Sequence, residues 1–248
     1  MKKPVLLILH QEHSLPGRLG RLLEARGHGL DLRRPRFGDP LPTTTRDHAG
    51  TIIFGGPMSA NDEDEFIHDE MNWIGRCLQE DAPYLGLCLG AQMLTRHLGG
   101  RVYTHPEGRA EVGYYQLQAT EHGKRHAGEA GFSWPETVYQ WHREGFDCPA
   151  GAECLAEGGD FPVQAIRAGT KAYGLQFHPE VTPAMMCRWT VRGHERTLMP
   201  GAQSRDQHLE GWYRYDPAVR QWLEAFLDHW LAPAKAKSVA DDMRIAAE

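Results

Sequence analysis

The sequence contains no apolar run approaching the roughly 18 residues that a membrane-spanning helix requires, so no membrane association is expected. Its five cysteines, Cys77, Cys88, Cys148, Cys154 and Cys187, are an odd number in a 248-residue chain and include no Cys-x-x-Cys pair. That argues against a disulfide scaffold and suits free thiols in a reducing cytoplasm. Histidine is plentiful at 14 residues, but there is no His-Glu-x-x-His and no Cys/His cluster at zinc spacing, so neither a metal nor a cofactor is expected. Positive charge is not in excess: the formal net charge is −6 with 24% charged residues, which argues against a nucleic-acid partner. There is also no internal repeat, no Gly/Ser linker and no Gly-x-x-x-x-Gly-Lys-Ser/Thr phosphate loop. The N-terminus begins like a signal peptide, but its short apolar run is stopped by His10-Gln11-Glu12-His13 without a small-residue cleavage site, so Val5 to Leu9 is expected to be a buried first strand.

What is present is an alternation of strand and helix signals. After the first strand, Ser14 offers an N-cap with Pro16 close behind, and Leu19, Leu22 and Leu23 form a helical stripe ending at Gly27. A second strand is expected over Gly29 to Leu32, a proline-rich loop from Arg33 to Thr45, and a third strand over Thr51 to Phe54. The acidic run Asn61 to Glu65 caps a helix carrying Ile67, Met71, Ile74 and Leu78, and Tyr84 to Leu87 is a fourth strand leading into a helix from Leu89 to Gly99-Gly100. This order predicts an α/β fold: a doubly wound, mostly parallel sheet with helices on both faces. Beyond Arg101, short alternating segments at Gly113–Leu117, Thr137–Gln140, Val163–Ile166 and Ala172–Gln176 predict an antiparallel extension, with Gln140-Trp141-His142-Arg143 between strands. Thr182-Pro183 begins another helix, running to about Gly193. Asp216-Pro217 is expected to begin the last helix, whose Val219, Trp222, Leu223, Phe226 and Trp230 either cover the core or dock a partner. Residues 1–232 are expected to form one domain, with a helical extension over 195–232 and a flexible tail over 233–248.

The chemistry is concentrated at Gly86-Leu87-Cys88-Leu89-Gly90, a strand running into a cysteine between two glycines and then into a helix. Small residues at these positions let strand and helix approach closely while the side chain between them projects from a strained turn, which is the form of a nucleophile elbow. Negative charge is favoured at such a helix N-terminus, and the thiolate is the nucleophilic form of cysteine. Packing as a small hydrophobe is the other reading of Cys88. Further along, His178 and Glu180 stand two residues apart in Gln176-Phe177-His178-Pro179-Glu180, a spacing that suits a strand end, where alternate side chains share a face. A cysteine, a histidine and a carboxylate in that order compose a nucleophile, base and orienting group.

Together, the elbow through Ala91-Gln92, the Gln176 to Val181 segment and the Phe54-Gly55-Gly56-Pro57 turn resemble class I glutamine amidotransferases. The likeness is to the glutaminase part of GMP synthetase and its stand-alone relatives, and it covers about residues 1–190. It implies a flavodoxin-like fold, an oxyanion hole from the amides of Gly56 and Leu89, and Gln92 and His142 as substrate contacts. The family often has glycine where Met58 stands, so substrate backbone contacts there would differ. The implied activity is hydrolysis of the glutamine γ-amide through a γ-glutamyl thioester on Cys88, releasing glutamate and ammonia. The Ser-Gly-Gly-x-Asp-Ser pyrophosphatase signature is absent, so any ammonia acceptor would require a synthetase subunit. A γ-glutamyl peptidase or hydrolase acting on a γ-glutamyl compound is an alternative, as is a non-catalytic partner-binding module. The partners expected are thus a small-molecule substrate and either a synthetase subunit or a second copy in a homodimer.

Overall fold

A computed structural model of the chain describes residues 2–233, so the tail expected over 233–248 lies, beyond Pro233, outside the described residues. The first half alternates strand and α-helix except between its second and third strands: β1 (Val5–Ile8), α1 (Gly17–Ala25), β2 (Leu30–Arg33), β3 (Gly50–Ile53), α2 (Glu65–Gln79), β4 (Tyr84–Leu87) and α3 (Leu89–His97). The second half is mixed, with β5 (Val102–Thr104), β6 (Glu111–Gln116), β7 (Gln118–Ala119), α4 (Glu121–Ala130), β8 (Thr137–His142), β9 (Glu144–Phe146), β10 (Ala152–Glu157), β11 (Val163–Ala168) and β12 (Ala172–Leu175). Two helices close the described chain, α5 (Pro183–Arg192) and α6 (Arg205–Trp230).

Among the described residues the main sheet has the strand order β2-β1-β3-β4-β12-β11-β10-β7. From β2 to β12 every pairing is parallel, and from β12 onward every pairing is antiparallel. The parallel part has the flavodoxin-like order, in which connections leave in opposite directions from β1 and β3 and open a crevice at the carboxyl ends of the strands. All four residues of β1 are buried, because both sheet faces are covered. Val5 and Leu7 pack on the side of α1, α4 and α6, whereas Leu6 and Ile8 pack on the side of α2 and α3.

The structure departs from the sequence expectations in several places. β12, expected in the antiparallel extension, pairs in parallel with β4 and joins the two halves of the sheet. β6 and β8 pair only with each other in a separate two-stranded sheet, and Trp141 and His142 belong to β8 rather than to a loop between strands. Helix α1 starts at Gly17 behind Pro16, with no side-chain cap, so Ser14 does not cap it. The short helix α4 was not anticipated: its sequence is polar, and it buries only Gly123, His126 and Ala127.

Helix α6 begins twelve residues before Pro217, at a capping box in which the Ser204 hydroxyl accepts from Gln207 N and the Gln207 amide oxygen accepts from Ser204 N. Pro217 lies inside the helix and cannot donate to Tyr213, a residue that is 82% exposed. Asp216, read as the start of this helix, is instead buried against Arg18 of α1. The aromatic stripe of α6 covers the core and is not a docking face: Val219, Trp222, Leu223, Phe226 and Trp230 are all buried against the main sheet. Trp222 stacks between Trp134 and Phe226 at ring separations of 5.4 and 5.1 Å. Replacing Trp222 with alanine is expected to cost about 3–5 kcal/mol in urea unfolding. Tyr213→Ala, on the solvent side of the same helix, should leave the unfolding free energy within about 0.5 kcal/mol of wild type.

Candidate active site

Cys88 joins β4 to α3 with φ 50° and ψ −101°. This left-handed conformation costs a non-glycine residue on the order of 1–3 kcal/mol, so it persists only where the surroundings enforce it. They do so by close approach. A Cβ on Gly86 would lie 2.4 Å from the carbonyl of Gly90, and a Cβ on Gly90 would lie 2.3 Å from the carbonyl oxygen of Ile53. The crossing is pinned by Cys88 N donating to Leu175 O at 2.7 Å and by the Tyr84 hydroxyl donating to Gly90 O at 2.8 Å. The sulfur-bearing residue is therefore fixed at the carboxyl end of the central strands, 6% exposed at the floor of a cleft of about 700 Å³.

His178 and Glu180 lie in the turn that follows β12, not on a strand as their spacing suggested, and a chain reversal brings them side by side. His178 N donates to Tyr139 O at 2.8 Å, while Nδ1 meets Glu180 Oε1 at 2.8 Å. The turn is held from the other side by Arg18, whose backbone N donates to Glu180 O at 3.0 Å and whose Nη2 donates to Val181 O at 2.8 Å. Arg18 in turn pairs with Asp216 and lies over the Trp212 ring. Trp189 of α5 meets His178 edge to face at 4.9 Å. Burial pulls the His178 pKa down, but the Glu180 carboxylate hydrogen-bonded to Nδ1 and the nearby Cys88 sulfur outweigh it and raise it to about 10. His178 Nε2 makes no hydrogen bond of ordinary geometry and lines the cleft with Cys88. A buried nitrogen left open toward a cleft is suited to receiving or giving a proton.

The Phe54–Pro57 turn closes the other side. A Cβ on Gly55 would fall 2.8 Å from His178 Cε1 and 3.4 Å from Cys88 Cβ, while one on Gly56 would fall 3.0 Å from both His10 Cβ and Leu89 Cδ2. The structure thus gathers Cys88, His178, Glu180 and Gly56 around one cleft, with Leu89 packed behind the elbow against Gly56. Gln92 and His142 lie elsewhere. The Gln92 amide donates to Glu144 O at 2.8 Å and Gln176 Oε1 at 3.2 Å. The His142 ring is buried between Glu111 Oε2 at 2.9 Å and Glu144 O at 3.0 Å, so both its nitrogens, like the Gln92 amide nitrogen, are engaged in interior hydrogen bonds. Among the described residues no group of three or more His, Cys, Asp or Glu side chains is arranged to hold a metal ion.

Sequence reasoning missed His10, Arg18, Glu70 and Trp189. One signal was available for Glu70: it falls on the buried stripe of α2, one turn from both Ile67 and Ile74, where an unpaired carboxylate would be costly.

A strained cysteine elbow facing a histidine–glutamate pair, at the rim of a flavodoxin-like sheet, defines a class of protein that the comparisons identify independently. The family model described as "Glutamine amidotransferase class-I" matches residues 17–187, and the chain belongs to that family, whose general activity is hydrolysis of the glutamine amide. It is 31% identical over 183 residues to the glutamine amidotransferase-like protein YfeJ of Salmonella typhimurium, covering 72% of this chain and 76% of that protein. It is 37% identical over 167 residues to the glutamine-hydrolyzing GMP synthase of Thermus thermophilus, covering 65% of this chain but only 30% of that longer protein. The crystal structure of a glutamine amidotransferase from Methylobacillus flagellatus superposes with a TM-score of 0.84 at 26% identity, covering 93% of this chain and 95% of that one. A glutamine amidotransferase from Thermotoga maritima gives 0.81 at 26% identity, covering 94% and 100%.

The His178 environment makes a prediction that is independent of any substrate. In a ¹⁵N NMR titration the His178 ring should keep its second proton through neutral pH and lose it near pH 10. Glu180→Gln removes the largest factor raising the pKa and should move the midpoint to lower pH. A wild-type midpoint near the ordinary value of 6.5 would contradict the arrangement.

Proposed function

We propose that the protein is a cytoplasmic glutaminase-type amide hydrolase in which Cys88 attacks the γ-carbonyl carbon of glutamine. The reading is carried by one observation, the convergence of the Cys88 elbow with the His178–Glu180 pair at the floor of a single cleft. Attack by the Cys88 thiolate, whose proton resides on His178, forms a carbon–sulfur bond and places negative charge on the carbonyl oxygen, which accepts hydrogen bonds from the amides of Gly56 and Leu89. Collapse of that intermediate breaks the carbon–nitrogen bond, and His178 gives its Nε2 proton to the departing nitrogen. His178, now neutral, takes a proton from the water that attacks the γ-glutamyl thioester. Glutamate leaves and the sulfur is regenerated, while Glu180 keeps the imidazole oriented throughout. The raised pKa of His178 suits this order, since the residue is already an acid when ammonia must leave.

In this reading residues 1–232 work as one unit, and any synthetase that consumes the ammonia is supplied outside the described residues. The GMP synthase relatives support such a partnership, because the matched segment is only about 30% of their length. The size of the cleft favours a second reading. At about 700 Å³ it is in the range that holds drug-sized ligands, and it continues past Cys88 to Met185, Arg188 and Arg192 on α5. That is more room than one amino acid needs, so a larger γ-glutamyl compound, cleaved by the same steps, is the alternative substrate.

A panel of glutamine, γ-glutamyl dipeptides and glutathione, assayed for glutamate release, separates the two. Cys88→Ala should abolish release from every member, and Glu180→Gln should lower kcat and bring the alkaline loss of activity to lower pH. Activity that survives Cys88→Ala would overturn the mechanism.

A further inference from the structure

Behind the Gly55-Gly56 turn, away from the cleft, sits a second histidine–glutamate pair. His10 lies two residues past the end of β1 and Glu70 lies on α2, and both side chains are completely buried. His10 Nε2 meets Glu70 Oε2 at 2.9 Å, and His10 Nδ1 meets Gly55 O at 3.2 Å. Both partners are oxygen acceptors, so with Glu70 ionised the ring donates from both nitrogens. Burial works against that charged ring, but Glu70 and the Gly55 carbonyl outweigh it and the His10 pKa is raised.

Stability does not account for the pair. Burying two charges recovers little net free energy, and apolar side chains of the same volume would serve the core as well or better. On α2 the carboxylate even interrupts a stripe made by Ile67, Ile74 and Cys77. What the pair accomplishes is geometric. The peptide between Gly55 and Gly56 is trans, so its C=O and N–H point in opposite directions. His10 holds the C=O on one side, and the N–H is therefore directed to the other. Gly55 borders Cys88 Cβ and His178 Cε1 there, while Gly56 backs onto His10. With glycine on both sides of the peptide, rotation of the whole unit meets little steric resistance, and an unheld turn could present its oxygen to the cleft instead.

We propose that His10, braced by Glu70, is a positioning residue that locks the Gly55–Gly56 peptide with the Gly56 N–H facing the sulfur of Cys88, so that the oxyanion finds a donor and not a carbonyl. This rests on the hydrolytic reading of Cys88 given above. The role differs from that of a packing residue because it acts on the transition state and leaves binding of the unreacted substrate alone.

The test compares wild type, His10→Leu, His10→Asn and Glu70→Gln on glutamine and γ-glutamyl-p-nitroanilide. His10→Leu keeps the volume and loses the donor, and kcat should fall about 10²–10³-fold with KM little changed, the loss typical of one oxyanion donor. His10→Asn restores an N–H near the Nδ1 position and should recover most of that loss. Glutamate γ-semialdehyde, which adds the Cys88 sulfur to give an oxygen where the oxyanion would sit, should bind His10→Leu more weakly by the same factor, while product glutamate binds as in wild type. If His10→Leu does not fold, Glu70→Gln, which keeps the ring but weakens its brace, should still lower kcat without raising KM. An active wild type whose His10 variants keep kcat, or lose semialdehyde and glutamate binding equally, overturns the role of His10 alone. A wild type inactive on every γ-glutamyl substrate overturns the hydrolytic reading, and this role falls with it.

Discussion

The left-handed backbone at Cys88 is the constraint around which the rest is arranged. It exists because α3 crosses β4 and β3 at backbone contact, which only Gly86 and Gly90 allow, and because Leu175 of β12 and Tyr84 of β4 tie the crossing down. A local cost on the order of 1–3 kcal/mol is affordable only where surrounding structure over-determines it. Here that structure is the fully buried centre of the sheet. The parallel arrangement and its switch point then place the carboxyl ends of β1, β3, β4 and β12 around the same crevice. The segments following those four strands carry His10, the Gly55-Gly56 turn, Cys88 and His178 respectively.

Around that centre three buried ion pairs are each attached to a piece of irregular backbone. His178–Glu180 folds back on its own turn, Arg18–Asp216 braces the Glu180-Val181 carbonyls, and His10–Glu70 grips Gly55. Interior charge pairs add little to stability, because desolvation offsets most of their attraction. They do impose direction, which apolar contacts do not. The functional turns are accordingly held by charge, whereas the main sheet is held by hydrophobic burial; the buried His142–Glu111 pair is the counterpart on regular strands, between β8 and β6.

This division explains which parts could be read from the sequence. The parallel half was legible because apolar runs, stripes and glycine spacings are local, and the elbow was written in five consecutive residues. The parallel pairing of β12 was not, since it depends on β4, far back in the chain, and Ala172 to Gln176 alternates like any edge strand. Asp216-Pro217 mimics a helix start so well that it hid the capping box at Ser204, although that box was also in plain view. Gln92 and His142 carried the right residue types at family positions, yet their side chains turn inward to carbonyls and carboxylates that no spacing specifies. His10 and Glu70 lie 60 residues apart, and only the fold makes them neighbours.

The clasp between Arg18 and Asp216 bears on where this molecule can be cut. The match to the family model ends at residue 187, but the carboxylate that neutralises Arg18 arrives on α6, beyond that limit. A module excised at the homology boundary, for grafting onto another enzyme, would leave a guanidinium stranded in the interior beside the Glu180 turn. Breaking such a pair costs about 3–5 kcal/mol. The seam for modular reuse therefore lies after α6, and a recombination point chosen from alignment alone would pass through the support of the reaction centre.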